Sequence, residues 1–373
     1  MLERFEDIVE HRHEHARSWK ERTGGKVLGY FCTYVPEELA YAAGILPVRI
    51  LGGLEPQDVS EPHILGMYCP FCRDCLAEGL RGKYDYLDGV VLARSCQHML
   101  QAFHSWTIHI PLSYSYFMGM PSLVSRPRAR AFLRAETADF KKSLEEWTGK
   151  PIGDEDLDRA IETYNTNRRL LRQLYDLRKA DPPLLSGTEA AAVVLASSLS
   201  DKAEHSRMLE GLLEMLPQRQ DGPRSGTRIM VVGSENQSLD LFRLIEAPGA
   251  NIVIDEMCTG SRYFWNEVIP QEDRLSAIAS RYLDRPRCPI RDITERKRLE
   301  HILNLVRDFR VQGVLLIQQK FCTPHEFDIP AISELLKENG IPAYSLELDV
   351  TLHQGSIRTR TEAFLEMLQL ELV

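Results

Sequence analysis

The chain has 373 residues, 43% hydrophobic and 27% charged, with 45 basic side chains against 54 acidic ones for a net charge of −9. That length and apolar content call for two or three domains with real cores and exclude the disordered and fibrous classes. The acidic balance excludes a duplex nucleic-acid partner, which needs clustered Lys and Arg, and leaves eight cysteines as the unusual feature of a plain composition.

Residues 1–22 (MLERFEDIVEHRHEHARSWKER) are charged throughout, read as a polar amphipathic helix and lack the apolar stretch of a secretory signal. Gly24-Gly25 ends that helix, and Lys26–Tyr34 reads as a buried strand. Pro36-Glu37-Glu38 starts a helix that runs to Gly44, with Pro first and acids in the first turn. Pro47–Leu51 is a second strand, Cys69-Pro70 opens a helix closed by Gly82, Leu87–Ala93 is a strand and Gln97–Trp106 a helix. This alternation predicts βαβ units on a parallel sheet. From about Ala129 to Pro217 the period is helical, and the polar, Gly/Pro-rich stretch Gln218–Gly226 marks a linker.

Alternation then resumes, with strands at Arg228–Gly233, Asn251–Asp255, Gly313–Gln318 and Ile341–Leu348. Helices are expected at Leu239–Ala247, Arg296–Arg310, Ile329–Asn339 and Arg360–Leu370. The expected fold class is therefore α/β: two Rossmann-like parallel-sheet domains (1–128 and 227–373), a helical segment (129–217) and a linker (218–226). The two halves share an architecture without a residue-level repeat. The longest apolar run, Ala190–Ala196, is seven residues, against the roughly 18 that a membrane span needs. No membrane partner and a cytoplasmic location are expected, and structural disulfides are rare in that reducing compartment.

Buried thiols, redox thiols and metal or cluster ligands are then the readings open to the cysteines. Cys69-x-x-Cys72-x-x-Cys75 begins like a bacterial ferredoxin run, but the fourth Cys and its Pro do not follow, and no second CxxC completes a zinc ribbon. Placement along the elements says more. Cys32, Cys96, Cys258 and Cys322 each fall at or just past the end of a predicted buried strand. In open parallel sheets those ends border the ligand crevice. Cys69 opens a helix, where backbone N–H groups stabilise a thiolate, and Cys288 lies in a Pro-rich stretch. Thiolates converging between two α/β domains suit an iron–sulfur site better than zinc, for which His98 and His104, six apart, give no ligand spacing. GSENQS after RIMVVG lacks the later glycines of a phosphate turn, so no ATP or NAD site is expected.

The strings GYFCTYVPEELAYAAGILPVRILG (Gly29–Gly52), Cys69-Pro70, LDGVVLARSCQHMLQAFHSW (Leu87–Trp106), YFMGMP (Tyr116–Pro121), DPPLLSGTEA (Asp181–Ala190), CTGSRYF (Cys258–Phe264) and IQQKFCTPHEFD (Ile317–Asp328) closely resemble, in order, the 2-hydroxyacyl-CoA dehydratase/benzoyl-CoA reductase family. The resemblance covers nearly the whole chain and implies a low-potential iron–sulfur cluster in the crevice between two α/β domains. It implies Cys69, Cys96 and Cys322 as ligands of one [4Fe-4S] cubane. Cys32, Cys258 and Cys288 match cysteines of relatives that carry a double cubane, which this set permits without requiring; Cys72 and Cys75 fall outside the pattern.

Glu37, Glu38, His98, His104 and Tyr34 lie beside cluster cysteines in sequence and are candidate proton donors or hydrogen-bonding groups. The expected activity is that of a cluster-binding subunit of ATP-dependent benzoyl-CoA reductase, an oxidoreductase of anaerobic aromatic degradation. The segments CQHMLQAFHSW (Cys96–Trp106) and LRQLY (Leu171–Tyr175) are most like that branch's smaller subunits. Alternatives are a 2-hydroxyacyl-CoA dehydratase subunit (a ketyl-radical lyase), a homodimeric double-cubane reductase of small molecules, and a non-catalytic electron-relay subunit. The implied partners are a paralogous subunit or a second copy, an ATP-hydrolysing iron–sulfur activator, and an acyl-CoA.

Overall fold

The computed structural model describes residues 1–349 and 353–371. The expected first helix is broken at His11 into α1 (Leu2–Glu10) and α2 (Arg12–Thr23), which Gly24 closes in the left-handed conformation. Then come β1 (Val27–Tyr30), α3 (Glu37–Ala42), β2 (Leu46–Arg49), α4 (Pro70–Leu80), β3 (Gly89–Ala93), α5 (Gln97–His109) and β4 (Tyr114–Met118). Four long helices follow: α6 (Pro127–Thr148), α7 (Asp154–Asp176), α8 (Gly187–Leu199) and α9 (Lys202–Met215). The remainder is β5 (Thr227–Gly233), α10 (Leu239–Glu246), β6 (Ala250–Glu256), α11 (Ser261–Phe264), α12 (Arg274–Asp284), α13 (Lys297–Asp308), β7 (Gly313–Gln319), α14 (Thr323–Glu338), β8 (Ala343–Leu348) and α15 (Gln354–Glu371).

The strands form two four-stranded, wholly parallel sheets, ordered β2-β1-β3-β4 and β6-β5-β7-β8. The second order is the first with every strand advanced by four, so the halves share one topology. Inner strands β1 and β3 are buried along their whole length, as parallel strands covered on both faces must be. Edge strand β4 alternates between exposed and half-buried positions, and its short polar-aromatic run (YSYFM) carries no buried-strand signal; sequence reading passed over it.

Sequence reading also missed α12, and it started α14 and α15 six residues late, at Ile329 and Arg360 instead of Thr323 and Gln354. For α14 the misleading residue is Pro330, which lies inside the helix rather than at its first turn. The apolar run Ala190–Ala196 lies in α8, which is buried almost throughout and packs against α1, α10, β2 and β6. It therefore touches both sheets, and one continuous apolar core runs through the two halves. A second core gathers α3, α6, α7 and α12 on the other face of the first sheet. The C-terminal ends of β1 and β3 and those of β5, β6 and β7 border a single crevice.

Candidate metal centre

Seven of the eight cysteines, Cys32, Cys69, Cys72, Cys96, Cys258, Cys288 and Cys322, line this crevice, which encloses a cavity of about 80 Å³. That is several times the roughly 10–15 Å³ that one water needs. Helix starts position most of the thiols. Cys69 caps α4, Cys96 caps α5, Cys322 caps α14 and Cys288 caps a short 3-10 turn at Pro289–Arg291. Each sulfur thus sits where unpaired backbone amides favour negative charge; the Met99 amide donates to Cys96 Sγ at 3.5 Å. Before Cys322 the chain turns at Phe321, with φ +61°, a left-handed conformation that costs a bulky residue roughly 1–2 kcal/mol.

The thiols fall into two groups. The Cys69 thiol interacts with those of Cys322 and Cys72, and Cys72 in turn with Cys96, making one electrostatically linked set. Thiol donation from Cys322, then from Cys72, pulls the Cys69 thiol well below its ordinary range, aided by the Phe71 and Cys72 amides and opposed by burial. Cys322, whose proton is drawn toward Cys69, is pushed well up. In the second group Cys32, Cys258 and Cys288 interact with one another electrostatically. Burial pushes Cys258 up to about 12, although Arg262 Nη2 donates to its Sγ at 3.0 Å. Burial likewise raises the Cys32 thiol.

The remaining lining compensates for negative charge. Arg262 is fixed by Glu256 Oε2 at 2.7 Å and the Gly233 carbonyl at 2.8 Å, and Arg285 by the Thr33 and Arg262 carbonyls. Arg49 Nη2 meets Glu235 Oε1 at 2.7 Å across the crevice. Burial outweighs that arginine, so the Glu235 carboxyl sits above its usual range. The Tyr34 ring lies under the Arg285 guanidinium at 4.6 Å, with its hydroxyl on Cys288. His98 Nδ1 accepts the Cys69 amide N–H at 3.1 Å, which leaves the proton of the neutral ring on Nε2.

Of the five candidate proton carriers or hydrogen-bonding groups, His98 and Tyr34 line the cavity; Glu37, Glu38 and His104 do not. Glu38 is bound by Arg168 and by the Tyr282 hydroxyl at 2.8 Å, and although burial opposes ionisation, Arg168 and Arg281 hold it below the usual carboxylate range. Glu37 accepts from the Tyr263 hydroxyl at 2.9 Å, with Lys202 Nζ at 3.7 Å. His104 is exposed on α5. Sequence reading set Cys72 aside, outside the ligand pattern, as mainly a packing thiol, and passed over Arg262, Arg285 and Glu235 as parts of the lining. For Cys72 the CxxC spacing was the available signal; the arginines carry none, because their partners are carbonyls remote in sequence. Cys75, one turn beyond Cys72, is a packing thiol whose Sγ faces the Ile50 carbonyl at 3.7 Å.

Among the described residues no group of three or more His, Cys, Asp or Glu side chains is placed to hold a single metal ion. The donor set instead suits a polynuclear, sulfur-rich group: soft ligands, burial, N–H donors aimed at sulfur and arginines nearby.

Residues 32–368 match the family described as 2-hydroxyglutaryl-CoA dehydratase, D-component. The chain is similar to the (R)-phenyllactyl-CoA dehydratase beta subunit of Clostridium sporogenes, 26% identical over 98% of this chain and 97% of that one. It is also similar to one of the benzoyl-CoA reductase subunits of Thauera aromatica, at 27% over 89% and 88%. The beta subunit of (R)-2-hydroxyglutaryl-CoA dehydratase from Acidaminococcus fermentans is 26% identical over 92% and 93%.

Proposed function

The chain belongs to the 2-hydroxyglutaryl-CoA dehydratase D-component family, and on that footing we propose that it is the iron–sulfur subunit of a low-potential acyl-CoA reductase of the benzoyl-CoA reductase type. In this reading a separate ATP-hydrolysing activator feeds it single electrons in the cytoplasm, and a paralogous subunit completes the enzyme. The observation that carries it is the convergence of seven cysteines on one cavity between two parallel sheets. Cys69, Cys96 and Cys322 would hold one cubane. A cluster there supplies single electrons at a potential set by ligands, burial and hydrogen bonds to sulfur.

The chain's own groups have definite tasks in this reading. Arg262 and Arg285 offset the charge of buried thiolates, and the apolar wall keeps bulk water from them. His98 presents Nε2–H to the cavity edge as a proton donor, its Nδ1 committed to the Cys69 amide.

The second trio, Cys32, Cys258 and Cys288, favours a further reading: a homodimeric double-cubane reductase of small molecules. Anaerobic purification separates the two. The benzoyl-CoA reductase reading expects a co-purifying, non-identical homologue and a cluster spectrum perturbed by benzoyl-CoA. A stable homodimer with about eight irons per chain, rather than about four, favours the double cubane. Perturbation by a 2-hydroxyacyl-CoA instead points to the dehydratase reaction, and a spectrum that no acyl-CoA perturbs points to a relay. In every case Cys322→Ser is expected to lower iron and sulfide content, and unchanged content would refute the ligand assignment.

A further inference from the structure

We infer that Cys72 is a fourth thiolate of the Cys69, Cys96 and Cys322 set, so that a cubane held there has every iron capped by protein. The inference rests on the iron–sulfur reading above. Three thiolates leave one iron of a four-iron cube without a protein ligand, whereas four close it. Cys72 lines the same cavity as Cys69, Cys96 and Cys322 and is 2% exposed. The CxxC spacing at a helix start brings both sulfurs to one side: Cys69, as the cap, has extended backbone (φ −47°, ψ 129°) that swings its side chain over the first turn, where Cys72 stands.

The second half of the chain supplies an internal comparison. Cys69-Pro70-Phe71-Cys72 and Cys288-Pro289-Ile290-Arg291 occupy the same place in the shared topology, each cysteine capping a helical turn between the second and third strands of its sheet. Where the first half has Cys72, the second has Arg291, whose guanidinium turns to the Pro121 carbonyl at 2.9 Å and does not line the cavity. The Cys32, Cys258 and Cys288 trio therefore stops at three. The closed set stores and passes electrons; an exchangeable ligand or substrate atom reaches iron only at the trio. On binding, the Cys72 thiol forms one S–Fe bond and releases one proton to solvent, with no change of oxidation state.

The test uses the full chain, reconstituted anaerobically with ferrous iron and sulfide, as wild type, Cys75→Ala, Cys72→Ala and Cys72→Ser. Iron per chain is measured, with electron paramagnetic and double resonance spectra in ¹³C-cyanide, a small ligand for open iron sites. Cys75→Ala is expected to match wild type. Cys72→Ala should show an additional cyanide-coupled species absent from wild type, and Cys72→Ser should suppress it with shifted g-values, an oxygen replacing the sulfur. Loss of iron from both Cys72 variants, with the circular-dichroism spectrum intact and Cys75→Ala fully loaded, supports ligation too. Cys72→Ala indistinguishable from wild type in iron, spectrum and cyanide coupling overturns the inference. Failure of wild type to take up iron instead overturns the functional reading on which it rests.

Discussion

A buried imidazole shows how strongly single residues are constrained in this chain. His205 is wholly buried, with Nδ1 accepting from the Asn167 amide at 2.8 Å and Nε2 donating to the Val193 carbonyl at 2.9 Å. Both ring nitrogens are used by the neutral form, and protonation would bury a charge. Burial accordingly pushes its pKa down to about 3, with Lys202 adding to the effect. The folded state resists a proton that the unfolded chain accepts near pH 6.5, so this contribution is intact above pH 6.5 and shrinks as pH falls toward 3. The slope is about 1.4 kcal/mol per pH unit for the one group. In urea titrations between pH 7.5 and 5, His205→Gln should therefore flatten the fall in stability by that amount, whatever its effect at neutral pH. An unchanged slope would show that His205 is not the buried neutral group described.

Among the elements, α8 is the one on which both sheets depend. Its N-terminus is held twice. Ser186 and Glu189 form a capping box, and the Glu246 carboxylate accepts from the Gly187 and Thr188 amides at 2.7 and 3.0 Å. The Ser-Gly-Thr-Glu string that contributed to the family resemblance is thus also a helix start. Gly187 is required there by space: a Cβ would lie 2.4 Å from Ile252 Cβ and 3.0 Å from the Ile252 carbonyl on β6. Gly187→Ala should destabilise the fold by about 1–3 kcal/mol, read by urea unfolding. Ser186→Ala, which removes a cap without a clash, should cost about 1 kcal/mol.

Elements of this kind also show what the sequence can and cannot disclose. Strand-end cysteines were legible because β1, β3, β6 and β7 announce themselves as apolar runs and parallel strands share one ligand-binding end. Cys72 was not, because helical periodicity treats Cys69 as a helix residue when it is an extended cap. The division of the thiols into two groups was implied by the family resemblance and not by their spacing, since each group mixes cysteines from both halves of the chain.

In the whole molecule polar side chains add to the shared apolar core in tying the two halves together across the crevice. Arg49 on β2 and Glu235 after β5 are the clearest, and Gln237 bridges the Gly52 amide and Asp74 at 2.7 Å each. Removing one member of a buried pair strands the other, so Arg49→Met should destabilise the chain by about 3–5 kcal/mol. The double variant Arg49→Met/Glu235→Leu should recover most of that, and purely additive losses in the double-mutant cycle would show that the pair is not coupled. The shared strand order of the two sheets has a last consequence. One thiol group takes Cys69 and Cys96 from the first sheet and Cys322 from the second; the other takes Cys258 and Cys288 from the second and Cys32 from the first. Neither group exists in a half-made chain. A nascent polypeptide completes the Cys32, Cys258 and Cys288 trio only when Cys288 has been made, and the Cys69, Cys96 and Cys322 set only when Cys322, just past β7, has followed.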